Sequence, residues 1–328
     1  MRCRKFAFAG FRHGHIFSLY EALGTREDAC IVGAWENNAE ARAQAEEKGV
    51  KFTYETLDQL LADPNVEVVA IGDYYGARGG IALRALQAGK HVLVDKPLCI
   101  CLEDAEAIAQ EANQRGLAVG IMLDMPDQPM VATATDAIRS GVIGKVNNII
   151  FEGQHPLMYG TRPGWYFEEG KHGGVINDIA IHGIDWCRFI TGSDVEEVVG
   201  ARCWNFYADK EPDFLDSAQF VVKMGNGAGV MADISYAAPD VQLFGLPSYW
   251  HFRVWGELGM LEFSLNLPDV ILYAKGESGG RVLPAKPVEK TYLDSFLEAL
   301  NNPADIAACT RENLATARQT LMIQKAAD

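Results

Sequence analysis

From residue 5 to residue 122, hydrophobic positions fall into short unbroken runs separated by stretches of helical period. Apolar runs at 5–9, 29–35, 66–71, 91–94 and 118–122 alternate with segments at 15–23, 39–48, 78–88 and 102–114, where apolar residues recur every three or four positions. Continuous apolar runs suit strands covered on both faces, and strand–helix alternation predicts an α/β fold with a doubly wound parallel sheet. The pattern then changes. It predicts a helix over 130–140, a strand over 146–152, an irregular stretch rich in Pro, Gly and aromatics over 155–171, and a helix carrying Asp178 and His182. From 196 to about 273 strands dominate. Runs at 214–224 and 229–236 flank Gly225-Asn226-Gly227, a strong hairpin signal, and runs at 253–255 and 260–263 flank another Gly-containing turn. An open, mainly antiparallel sheet with one face against helices is expected. Helices return at 292–300 and 312–327. The expected division is residues 1–122 and residues 123–328, with the last helix free to pack back on the first part.

Composition narrows the function classes. The 328 residues are 48% apolar and 22% charged, the balance of a soluble globular protein with room for two domains. The formal charge of −15 argues against a nucleic-acid partner, which demands a basic face. No apolar run is long enough for a membrane helix, and the short apolar start is no signal-peptide core, so a cytoplasmic protein is expected. Seven scattered cysteines without a CxxC pair predict reduced, mostly buried thiols and no metal site.

Three places carry candidate chemistry. Gly10-Phe11-Arg12-His13-Gly14-His15 lies between the first strand and the first helix, where a dinucleotide fold places its phosphate turn. Arg12 and His15 stand where a regular GxGxxG would have glycine. Glu36 ends the second strand, where an acidic residue accepts from ribose hydroxyls and repels a 2′-phosphate, favouring NAD. Arg12, able to pair with a phosphate, leaves NADP open. Asp178 and His182 are four residues apart on one helical face, a carboxylate and an imidazole able to hold a hydroxyl and take its proton. In the irregular stretch Arg162, Trp165 and Tyr166, with His155 and Tyr159, suit a polyhydroxylated ring by stacking and hydrogen bonding, or else anchor the loop.

The run Ala88-Gly89-Lys90-His91-Val92-Leu93-Val94-Asp95-Lys96-Pro97 resembles the AGKHVxxEKP signature of the Gfo/Idh/MocA oxidoreductases. The pattern Gly-Gly-x-x-x-Asp-x-x-x-His-x-x-Asp from Gly173 to Asp185 resembles the family's second signature, about 80 residues further on. The resemblance implies a Rossmann domain over 1–122 and a substrate-binding α/β domain over 123–328. It implies NAD(H) or NADP(H) chemistry on a hydroxyl-bearing carbon of a sugar, cyclitol or related polyol. The family's catalytic residues fall on Lys96, Asp178 and His182. Cofactor contacts are expected from Gly10, Arg12, His13, Gly14, Glu36, Asp73, Tyr74, Asp95 and Lys96, and substrate contacts from Arg162, Trp165, Tyr166, His155 and Asp178. Two departures stand out. Asp95 replaces the usual glutamate, and Asp73-Tyr74-Tyr75-Gly76-Ala77-Arg78 replaces a Thr-Pro-x-x-x-His loop that normally lies against the cofactor. Two further functions stay open, an NAD-assisted glycosidase or lyase without net redox and a non-catalytic ligand sensor. The open sheet invites a homodimer or homotetramer.

Overall fold

A computed structural model describes residues 3–328 and resolves them into two compact units. One comprises the chain up to Met122 with Glu168–Gly173 and Leu293–Ala317; the other comprises Leu123–Phe167, Gly174–Tyr292 and Arg318–Asp328.

In the first unit, elements run β1 (Arg4–Ala9), α1 (His15–Gly24), β2 (Ala29–Trp35), α2 (Ala39–Glu47), α3 (Leu57–Ala62), β3 (Val68–Ile71), α4 (Tyr75–Gln87), β4 (His91–Val94), α5 (Leu102–Arg115) and β5 (Val119–Ile121). The five strands form a parallel sheet in the order β2-β1-β3-β4-β5. Strands β3 and β5 and most of β4 are fully buried, as their unbroken apolar runs require. Strand order reverses between β1 and β3, so the loops after these strands flank the crevice in which such sheets bind ligands. Helix α4 starts three residues before its expected position. Gly76 there donates its N–H to the Lys171 carbonyl at 2.9 Å, and Arg78 is fully buried.

Seven reduced thiols were expected, and the structure corrects this. Cys3 and Cys30 form a disulfide, because parallel pairing of Arg4 with Ala29 sets their Cα atoms 6.1 Å apart. Cys99, Cys101, Cys187, Cys203 and Cys309 lie outside any disulfide.

In the second unit, α6 (Pro129–Arg139) and β6 (Val146–Pro156) precede a π-helical turn at Ile176–Ala180 and α7 (Ile181–Thr191). Then come β7 (Val195–Trp204), β8 (Ser217–Met224), β9 (Gly229–Ala238), β10 (His251–Gly256), β11 (Gly259–Ser264), β12 (Val270–Ala274) and β13 (Arg281–Leu283). The eight strands order as β13-β12-β11-β10-β6-β9-β8-β7. The sheet is mixed: β6 and β9 pair in parallel and the other neighbours are antiparallel. Along β8, Ala218, Phe220, Val222 and Met224 point inward, while Gln219, Val221 and Lys223 face outward. The inner face receives α7. Trp186 packs edge-on against Phe252 and Phe263 and donates its indole N–H to Thr135 Oγ1 at 3.0 Å. A side chain at Gly183 would overlap the Phe151 ring, so α7 lies directly on β6. Helices α8 (Tyr292–Ala299) and α9 (Pro303–Ala327) close the chain. Among the described residues no helix is long and apolar enough to cross a membrane.

Candidate active site

In the first unit the β1–α1 turn is built on Gly10, whose φ of +88° suits only glycine and whose missing side chain lets Asp73 approach within 2.7 Å of the Cβ position. Helix α1 opens on Gly14 with no capping side chain and no acidic residue in its first turn. Its first amides and positive dipole end therefore remain available to an anion.

Arg12 lies across the loops after the neighbouring strands. Its Nε is 3.2 Å from Asp73 Oδ1 and 3.6 Å from Glu36 Oε1, a terminal nitrogen donates to Asn37 Oδ1 at 2.6 Å, and the guanidinium stands 5.0 Å from the Tyr74 ring centre. Glu36 is sealed beneath it, with its side chain 1% exposed. One carboxylate oxygen accepts from the Phe11 N–H and the other from the Asn38 N–H, each at 2.7 Å. The expected ribose acceptor is thus a latch between the ends of β1 and β2. Burial pushes the Asp73 carboxyl upward in pKa, against the opposing charge of Arg12.

Lys96 follows β4 and is buried, and the peptide joining it to Pro97 is cis. Asp95 beside it is fully buried and bonded to His13 Nδ1 at 2.5 Å and to Arg78 at 2.9 Å. Burial alone would raise its pKa, but the charge of Arg78 and the bonds from His13 hold the carboxyl well below the usual range. An ionised Asp95 leaves the proton on His13 Nδ1, so Nε2 accepts from the Tyr75 hydroxyl at 3.1 Å. Ligand atoms of His13, His15 and Asp95 lie within 4.8 Å of one another. The Arg78 charge already rests on the shared carboxylate, however, and would repel a cation there.

In the second unit Asp178 sits on the π-turn and His182 on the first turn of α7. The expected single α-helical face is corrected to this junction; π-turns recur at functional sites. Asp178 Oδ2 accepts from the Tyr236 hydroxyl, and both residues are buried. His182 Nδ1 lies 3.7 Å from Asp124 Oδ1, and its ring meets Trp250 edge-on at 5.9 Å. His155 is boxed by Tyr249, Trp250, Phe244 and Tyr236, with ring centres 4.7 to 6.5 Å away. Arg162 is pinned by its own loop. It donates to the Leu157 carbonyl at 2.8 Å and the Pro156 carbonyl at 3.0 Å and lies 5.0 Å from the Tyr166 ring centre. Trp165 and Tyr166 are buried against each other and anchor that loop, and the Tyr159 hydroxyl donates to Glu211 at 2.9 Å. Tyr236 and Trp250 were not singled out from the sequence. Tyr236 had a signal, because it continues the inward series Val230, Ala232, Ile234 along β9.

Comparison with known proteins now adds to this geometry. Residues 4–122 match the family model described as "Oxidoreductase family, NAD-binding Rossmann fold", and residues 131–262 match "GFO/IDH/MocA C-terminal domain". The chain belongs to the Gfo/Idh/MocA oxidoreductase family. Among relatives of this family, 1,5-anhydro-D-fructose reductase of Ensifer adhaerens is 31% identical over 172 residues, 52% of this chain and 51% of that protein. Myo-inositol 2-dehydrogenase of Thermotoga maritima is 26% identical over 264 residues, 79% of this chain and 75% of that protein. The chain thus aligns with about half of the first and three quarters of the second. In fold, an NAD-binding protein from Listeria innocua superposes with a TM-score of 0.81 at 20% identity, covering 100% of this chain and 98% of its own.

The first unit of this Gfo/Idh/MocA oxidoreductase is accordingly an NAD-binding Rossmann domain. Its uncapped α1 terminus and the tight turn at Gly10 fit the diphosphate of a dinucleotide.

Proposed function

We propose that this oxidoreductase transfers a hydride between NAD and a hydroxyl-bearing carbon of a sugar, cyclitol or related polyol. The observation that carries the reading is the pair of linked signatures, one ending at buried Lys96 and the other placing buried Asp178 and His182 among aromatic rings. NAD, when bound, supplies the hydride-accepting nicotinamide. The α1 N-terminus with Gly14 and His15 holds its diphosphate, and Arg12 meets its ribose. Lys96 donates to the reacting oxygen and stabilises negative charge on it. His182 takes the hydroxyl proton, as a neutral imidazole can do through a ring nitrogen. Asp178, fixed by Tyr236, orients the substrate hydroxyl. The buried ring of Trp250 and the half-buried ring of Tyr249 suit the apolar face of a sugar ring, while polar groups at its rim set orientation.

The test is a panel of sugars and polyols with NAD and NADP, followed at the reduced-nicotinamide absorbance band. Turnover with NAD on at least one polyol is the expected result. Product formation without NADH accumulation would favour the NAD-assisted lyase, and dinucleotide binding without chemistry would favour a ligand sensor.

We also propose that a second copy covers the outer face of the eight-stranded sheet. That face carries a shallow depression of about 470 Å³, lined in part by Glu152, Arg202, Gln219, Asp233 and Arg253. Exposed Val221 and Met231 lie among these charges of both signs. Such a surface is complementary to its own copy across a two-fold axis. Light scattering is expected to give a multiple of the chain mass for the native protein and a smaller species for Met231→Glu. A native monomer at micromolar concentration would remove the proposal.

A further inference from the structure

Arg78 makes more bonds than any surface role would need. It sits on the first turn of α4 and is fully buried. Its Nε donates to the Asp73 carbonyl at 2.8 Å. One terminal nitrogen donates to three consecutive carbonyls, those of Asp95 at 2.8 Å, Lys96 at shorter range and Pro97 at 3.2 Å. The other donates to Asp95 Oδ2 at 2.9 Å. The guanidinium therefore ties the loop after β3 to the loop after β4. Through Asp95 and His13 it reaches the β1–α1 turn as well. Only a planar fork of five N–H donors satisfies acceptors arrayed in this way; a lysine ammonium would reach a subset.

The two departures from the family pattern meet in this network. Arg78 stands at the position of the usual histidine and Asp95 at that of the usual glutamate, and the two are bonded to each other. The pair here combines a long base with a short acid, and the guanidinium reaches the Asp73, Asp95, Lys96 and Pro97 carbonyls besides the Asp95 carboxylate.

We propose that Arg78 is the positioning residue for Lys96, fixing the backbone of residues 95–97 so that the lysine ammonium meets the reacting oxygen. This rests on the reading of Lys96 as a catalytic residue. Arg78 touches neither substrate nor cofactor in this account. It acts by holding Lys96, where a displacement of an ångström costs about a hundredfold in rate.

The experiment measures kcat, KM, the pH–rate profile and NADH binding for R78K, R78H, D95N and the double variant R78H/D95E, with K96M alongside. The expected result for R78K is a fall in kcat of about a hundredfold with KM and NADH affinity changed less than about threefold, and a displaced pH–rate profile. R78H should be impaired, and R78H/D95E should recover about tenfold over it, since the longer carboxylate restores reach to the shorter base. A merely structural Arg78 would change the melting temperature without the kcat-against-KM split or the recovery. R78K turning over within about threefold of native, or R78H/D95E no better than R78H, overturns the proposal. If R78K does not fold, the comparison of R78H with R78H/D95E decides by itself, and D95N should show the same split. If R78K loses activity while K96M keeps it, the catalytic reading of Lys96 has failed; if K96M is inactive and R78K is not, only the Arg78 proposal has.

Discussion

Replacing Lys96 with methionine is expected to lower kcat by about a thousandfold while the rise in melting temperature on adding NAD persists. Lys96 is the first residue beyond Asp95 at the carboxyl end of β4, in the region where parallel sheets present groups to ligands. It is buried, so its aliphatic stem is packed, and methionine of similar length and apolar character preserves that packing. What is lost is a cationic donor. Removal of one such group from a water-excluded site costs on the order of 10² to 10³ in rate, and loss of proton donation extends the range towards 10⁴. Since the interaction strengthens as charge develops on the reacting oxygen, kcat and kcat/KM should fall together. The uncapped α1 N-terminus, to which the proposal gives the diphosphate, is separate from Lys96, so nucleotide binding should remain. Single-turnover kinetics and thermal shifts with NAD measure both arms. Full activity in the variant, or loss of the NAD-induced shift along with activity, would refute the assignment.

Which parts of this arrangement could be read in advance follows from where the forces act. The parallel strands were legible because burial on both faces forces unbroken apolar runs, and β4 was placed to the residue. The short helix α3 was missed, although Thr56 and Gln59 form a capping box that advertises its start. The start of α4 was not legible, because Gly76, Gly79 and Gly80 depress helix propensity and the segment is held by Arg78 and by Lys171. The π-turn under Asp178 was likewise invisible, since one extra residue in a turn leaves no mark on the hydrophobic period. Lys96, Asp178 and His182 were legible as residue types at a spacing. Their partners were not: Tyr236 on Asp178 and Arg78 on the backbone of Lys96 depend on which strand and helix ends are brought together. Glu36 shows the same limit from the other side. Its type and place at the end of β2 were readable, but not that Phe11 and Asn38 would take its oxygens.

Acidification from pH 6.5 to 4 is expected to unfold the protein, with His13 and His91 as the main titrating groups. Burial lowers both rings from 6.5 to about 4. For His13, Arg78 already balances Asp95, so a proton on the ring would leave one positive charge uncompensated in a dry interior. For His91 the nearby Arg4 adds to the effect of burial, and Nδ1 accepts the Ala118 N–H at 2.9 Å, a bond that protonation would destroy. The folded-state pKa values lie below those of the unfolded chain. Between pH 6.5 and 4 the unfolded chain therefore binds two protons that the folded chain does not, and stability falls as pH falls. It is undiminished above pH 6.5 and lost towards pH 4. Each shift corresponds to about 3 kcal/mol, and together they approach the stability of an ordinary domain, about 5–15 kcal/mol. Asp95, held well below its usual range, stays ionised across the window and contributes no slope there. Asp73, raised by burial, works in the opposite sense nearer its own titration range. Denaturant unfolding at several pH values should show a slope near two protons in this window, and His91→Asn, whose amide oxygen can still accept from Ala118, should reduce that slope by about one. A stability that is flat from pH 6.5 to 4.5 would show that these rings ionise in place, and a native slope unchanged in the asparagine variant would remove His91 from the account.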